Sequence, residues 1–193
     1  SSRRSPAADR SLSRTSIRRL GRAEAVEHAA RVAEIYGRAL GRQAEPVDHF
    51  EATFRQCVRD YDGATVLVAS HDALGQPDSG SDNSAIVGFL YGFDLQLRHW
   101  WPQQIAGPVR AAGHGHWLTD AFELVELQVD PAFQGRGVGS ALLRRQLSEM
   151  PHRRALLSTD PDGRARTLYR RMGFRDLVPD FVYAGTSYRA ALM

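Results

Sequence analysis

The stretch Val129-Asp130-Pro131-Ala132-Phe133-Gln134-Gly135-Arg136-Gly137-Val138-Gly139-Ser140 decides how this 193-residue chain is read. An apolar run ends at Val129, Asp130-Pro131 marks a turn, and glycines then alternate into a helix start. Glycine lets the backbone approach a ligand closely, and the first amides of a helix, with its dipole, face an anion. The stretch therefore predicts a phosphate-binding loop at a strand-to-helix junction. The dinucleotide fingerprint G-x-G-x-x-G is not met, because counting from Gly135 puts Ser140 at the third glycine. A glycine-rich turn that only caps a helix is the competing reading of these glycines taken alone.

Working outward, residues 121–130 (AFELVELQVD) predict the strand before the loop, closed by Pro131, and 138–150 the helix after it, halted by Pro151. Residues 154–159 predict the next strand. A helix follows over 162–172, with Ala165, Leu168 and Met172 on one face, Gly173 as its cap and Phe174 folding back on the last turn. Upstream, strands are predicted at 15–20, 65–70 and 85–97, where Gly88 and Gly92 mark bends or bulges. Helices are predicted at 23–40 and 46–60. Residues 1–13 read as a disordered Ser/Arg-rich leader and 72–84 as a loop. Residues 98–119, with three tryptophans, two prolines and Gly113-His114-Gly115-His116, show no periodicity and read as a long loop. Two closing strands are predicted at 181–183 and 187–192. The result is an α/β chain: one mixed sheet with helices on both faces, in a single domain over 14–193.

The loop does not stand alone. Gln134-Gly135-Arg136-Gly137-Val138-Gly139 satisfies the Q/R-x-x-G-x-G/A pyrophosphate motif of the Gcn5-related N-acetyltransferases (GNAT) at every defined position. Further on, with one strand between, Leu168-Tyr169-Arg170-Arg171-Met172-Gly173-Phe174 resembles the L-Y-x-x-x-G-F segment of the same family. Two independent segments in the right order make the chain similar to this family, specifically over 121–175 and architecturally over 15–193.

That resemblance implies the GNAT fold, with a mixed, mostly antiparallel central sheet, and acetyl-CoA as cosubstrate. It implies that main-chain groups at Leu127 and Val129 bond the pantetheine arm. The amides of Gln134, Gly135, Arg136, Gly137, Val138, Gly139 and Ser140 would take the pyrophosphate, leaving the side chains of Arg136 and Val138 free to vary. The implied reaction is acetyl transfer to a primary amine of a small molecule or peptide, by direct attack in a ternary complex. An alkyl ammonium has a pKa of about 10, so it must lose a proton before attacking. Glu123 is the candidate base, with Glu126 as second choice; three apart, they point to opposite faces of a regular strand, and a bulge would change that. Tyr169 is the candidate acid for the departing thiolate. One departure concerns the residue seven before Tyr169, where many relatives carry Asn: here it is Asp162, which cannot donate to the pantetheine. Arg164 and Arg166 stand near enough in sequence to reach a CoA phosphate, although solvated surface arginines are the plainer reading. A CoA-binding sensor without a working base is the alternative function, and a homodimer is left open.

Composition narrows the field. Hydrophobic residues make up 42% and charged residues 24%, values of an ordinary globular domain. All 25 basic residues are arginine, so Schiff-base lysine chemistry and a Gly-Lys-Ser/Thr phosphate loop are excluded. Residues 1–22 hold seven arginines against one acid, whereas the rest holds 18 against 21 acids. The body is mildly acidic, which argues against a nucleic-acid partner. No apolar run is long enough for a membrane span and no secretory signal is visible, so the cytoplasm is the expected compartment. The single cysteine, Cys57, excludes an internal disulfide and reads as a small buried hydrophobe. His114 and His116 lack a neighbouring carboxylate or thiol, so no metal is expected.

Overall fold

The computed structural model describes residues 15–71 and 86–193. The leader at 1–13 and the loop at 72–84 lie outside the described residues. Among the described residues eight strands and six α-helices follow in the order β1 (Thr15–Leu20), α1 (Arg22–Glu27), α2 (Ala29–Leu40), α3 (Ala44–Asp60), β2 (Thr65–His71), β3 (Ile86–Asp94), α4 (Trp100–Ala111), β4 (Ala121–Val129), α5 (Val138–Glu149), β5 (Arg154–Leu156), β6 (Ser158–Thr159), α6 (Arg164–Arg171), β7 (Val178–Val182) and β8 (Arg189–Leu192). Strands β1 to β5 form one sheet in that order, and a second sheet has the order β6-β8-β7. The first sheet is mixed: β1 and β2 are antiparallel, β4 and β5 parallel. By backbone contacts the chain divides into Ser1–Tyr91 with Glu126–Arg145, and Gly92–Val125 with Gln146–Met193.

In the first unit, β2 buries five consecutive residues, Thr65–Ala69, the pattern of a strand covered on both faces. The predicted helix at 23–40 is two helices, because His28 leaves helical geometry for one residue. Its amide bonds back to Glu24 O at 3.1 Å, and its carbonyl starts the next helix by accepting from Val32. Phe50 and Phe54, four apart on α3, bury one face; Tyr36 from α2 stacks on Phe50 at 4.0 Å and Tyr91 meets Phe54 edge-on. Cys57 on the same face is buried. Gly88 is a close-approach point: a Cβ there would stand 3.2 Å from the Val138 side chain, so the start of α5 rests directly on β3.

The second unit corrects two expectations. Residues 98–119 are not a loop. Trp100–Ala111 is helix α4, followed by a 3₁₀ turn at Gly115–Leu118. Its buried stripe of Pro102, Ile105, Ala106 and Val109 has helical spacing. The tryptophans and prolines obscured that period. Pro102 sits in the first turn, where amides lack intrahelical partners, so it does not break the helix. The predicted strand at 154–159 is likewise two strands belonging to different sheets, with Leu157 between them exchanging two hydrogen bonds with Met193 at 2.9 Å. The closing strands therefore build a separate antiparallel sheet with β6 instead of extending the first. Around them Leu95, Ile105, Val109, Leu118, Leu156 and Phe181 form a buried core. The cap of α6 is as predicted: Gly173 has φ +96°, and Phe174 turns back to bond Tyr169 O and pack on the Tyr169 ring.

β4 is not a regular strand. Leu95 N–H bonds Ala121 O at one end of its pairing with β3, and Asp130 N–H bonds Val87 O at the other. Between these bonds β4 runs nine residue steps and β3 eight, so β4 carries one extra residue, a β-bulge. Side-chain alternation counted from Ala121 does not carry through to Val129.

Candidate active site

The loop after β4 begins at a buried aspartate. Asp130 is 2% exposed; its Oδ1 accepts the Ala132 amide at 3.0 Å, capping the short 3₁₀ turn Pro131–Phe133. Its Oδ2 faces Arg38 at 2.9 Å and Arg31 at 3.5 Å, and Arg31 also donates twice to Ile86 O. Gln134 turns its amide back onto Val129 O at 3.0 Å. Two anchors, one buried and ionic, one exposed and neutral, thus fix where the loop leaves the strand.

Beyond them Gly135 and Gly137 hold φ of +73° and +81°, a region that favours glycine, and nothing lies within 4 Å of where a Cβ would project. Gly137 O accepts from Ala141, so the first turn of α5 turns its amides toward this open face. Gly139 and Ser140 lie in that first turn and are half-buried. The loop has the form of an anion cradle made of main chain. Arg136 is exposed, its guanidinium 5.2 Å from the Phe133 ring. Val138 is not: it is 5% exposed and packs over Gly88.

On the same unit, Glu126 accepts a 2.6 Å bond from the Gln128 amide. Burial pushes its carboxyl up to about 7, with Gln128 and Arg42 pulling the other way. Burial and the Glu126 charge also raise the Tyr36 hydroxyl. Leu127 and Val129 flank this group on β4, half-buried.

The second unit holds Glu123 and Tyr169. Glu123 is 6% exposed, and its Oε2 is buried without a hydrogen-bond partner. Burial alone pushes this carboxyl up to about 8. Gly92 lets the β4 main chain and the Phe122 ring come close here: a Cβ on Gly92 would lie 2.1 Å from the Glu123 main-chain O and 2.6 Å from the Phe122 ring. Tyr169 is buried on α6 with its ring against Phe174. Asp162 is 80% exposed and pairs with Arg189 at 3.5 Å. Arg166 is held by Asp176 and Pro161 O and so braces α6. Arg164 is exposed.

Sequence reasoning missed the Asp130, Arg31 and Arg38 cluster, the Gln134 tie and the Glu126 surroundings of Tyr36, Arg42 and Gln128. Only Asp130, directly before Pro131, carried a local signal, that of a capped turn. The others depend on pairings 84 to 99 residues apart or on a side chain's final direction. The tryptophans are structural in part: Trp101 Nε1 donates to Tyr183 Oη at 2.9 Å, and Arg154 lies over Trp117. Among the described residues no helix is long and apolar enough to cross a membrane, and no three His, Cys, Asp or Glu side chains stand together as metal ligands.

Comparison with known proteins meets this geometry. The chain is 36% identical over 120 residues to a GCN5-like protein acetyltransferase of Mycobacterium tuberculosis, the match covering 58% of each, so it spans under two thirds of that relative's length. A GNAT-family acetyltransferase of Bacillus cereus superposes with a TM-score of 0.58 at 13% identity, covering 92% of this chain and 94% of that one. The aminoglycoside N-acetyltransferase AAC(6')-Iy in complex with CoA superposes with a TM-score of 0.57 at 15% identity, covering 90% and 95%. At these identities the two structures speak for the fold. Residues 62–176, which run from before β2 through the glycine loop to just past Phe174, match the acetyltransferase (GNAT) domain, and the chain belongs to that family.

Proposed function

We propose that this chain transfers an acetyl group from acetyl-CoA to a primary amine by direct attack, with residues 14–193 working as one catalytic domain. The observation that carries the reading is the open pair of positive-φ glycines, Gly135 and Gly137, leading into α5 within the matched segment. A pyrophosphate fits this cradle, since a side chain at either glycine would project into it. The amides from Gln134 to Ser140 would hold that group, and the main chain of Leu127 and Val129 the pantetheine. Glu123 is the base we favour: a buried carboxyl without a cation partner ionises near 8, close enough to neutrality to take a proton from an ammonium. Glu126, near 7, is the second choice. Tyr169 is the proposed donor to the thiolate. The relative at 36% identity is named a protein acetyltransferase, which directs the first acceptor screen to amines of proteins and peptides ahead of aminoglycosides.

Titration calorimetry of the protein with acetyl-CoA, and separately with CoA, tests the reading. Stoichiometric binding that weakens in Gly137→Ala is expected. Well-folded protein that binds neither would reduce the loop to a helix cap, and CoA binding without turnover on a broad amine panel would favour a sensor.

A further inference from the structure

The second unit carries a cavity of about 140 Å³ that the proposed reaction does not use. All three methionines of the sequence, Met150, Met172 and Met193, line it, beside Trp117 and Phe174. They follow α5, α6 and β8 respectively, so three separate chain segments deliver the same side chain to one place. Thioether chains are flexible and polarizable, and recur at surfaces that accept varied apolar groups. An apolar cavity of about 150 Å³ holds a molecule the size of benzene.

The charged side chains of the cavity lining have one sign. Arg153, Arg154 and Arg175 line it, and no carboxylate side chain does. Arg154 is engaged by Thr119 O and the Trp117 ring. Arg153 and Arg175 are exposed, and among the described residues neither has a carboxylate partner. Elsewhere on this unit, Asp176 pairs with Arg166 and Arg170, and Asp180 pairs with Arg189. An apolar floor under unneutralised guanidinium groups is complementary to an amphipathic anion. We infer that this cavity binds a small carboxylate bearing an apolar group of about six carbons. Its tail lies among the methionines and its charge at Arg153 and Arg175.

The test uses the whole chain carrying [methyl-13C]methionine, titrated with sodium hexanoate, hexanol and hexylammonium chloride. Hexanoate is expected to shift the methyl signals of Met150, Met172 and Met193 saturably. Hexanol should bind at least about fivefold more weakly, and hexylammonium more weakly still. Arg153→Ala and Arg175→Ala should each weaken hexanoate about fivefold and leave hexanol unchanged. Both arginines are exposed, so an unchanged thermal midpoint would show that the variants fold normally. Equal responses to hexanol and hexanoate, or no saturable shift, would overturn the inference. So would signals that ignore hexanoate and respond to the pentapeptide Asp-Glu-Leu-Asp-Glu, which would make this face a protein-docking surface.

Discussion

At its C-terminal end β4 runs into a loop whose proposed binding groups are main-chain amides, whereas near its N-terminal end it offers one buried carboxyl, Glu123. The two places answer to different constraints. On the proposed reading, side-chain identity should matter little at Arg136, while Gly135 and Gly137 hold positive φ that a side chain would strain. At Glu123 the ionisation follows from withheld solvent, so it depends on every neighbour that excludes water. Binding by backbone survives side-chain drift; proton transfer by a desolvated carboxyl does not.

The contrast breaks most visibly at Gly92. Replacing it with Val drives a Cβ into the Glu123 carbonyl and should cost about 3 kcal/mol or more in urea unfolding. A cost below about 1 kcal/mol would show that β4 yields easily there. Glu123→Gln comes next, lowering kcat/KM about 100-fold, or about 2.7 kcal/mol. In the parent, kcat/KM should rise with pH through about 8, and Glu123→Gln should remove that limb while Glu126→Gln keeps it. A limb near 7 that disappears in Glu126→Gln would transfer the base role to Glu126. Stability gives an independent check. The folded Glu123 carboxyl holds its proton more tightly than the unfolded one, so its contribution is full in acid and is lost as pH rises toward about 8. The thermal midpoint of Glu123→Gln relative to the parent should accordingly climb between pH 5 and 8.

Asp130→Ala should cost about 2 kcal/mol, less than a fully buried pair because Arg38 is half exposed, and should weaken CoA binding by loosening the loop exit. Gly137→Ala should cost about 1 kcal/mol through its positive φ and weaken CoA several-fold. Arg136→Ala should stay within about 0.5 kcal/mol in stability. If Arg136→Ala impaired CoA binding more than Gly137→Ala, the backbone account of the loop would be wrong.

The sites differ as well in how far they could be read in advance. Gly135, Gly137, Gly173 and Phe174 act through local torsions and short-range contacts, so their order in the chain carries their roles. The apolar periods of α3 and α5 did the same. Helix α4 was hidden because Trp, Gly and Pro interrupt the usual pattern, even though Pro102, Ile105, Ala106 and Val109 keep its period. The bulge in β4 and the split of residues 154–159 between two sheets depend on partner strands, which no local window contains. The base assignment inherits that difficulty: alternation of Glu123 and Glu126 holds for a regular strand, and this strand is not one.

The split at Leu157 also bears on how this sequence can change in length. β5 pairs with one sheet and β6 with the other, with a single residue between them tied twice to Met193. One inserted or deleted residue would put one of the two ladders out of phase and turn its inward side chains outward. Segments 154–159 and 189–193 are therefore expected to hold constant length among descendants of this chain, with insertions and deletions accepted elsewhere.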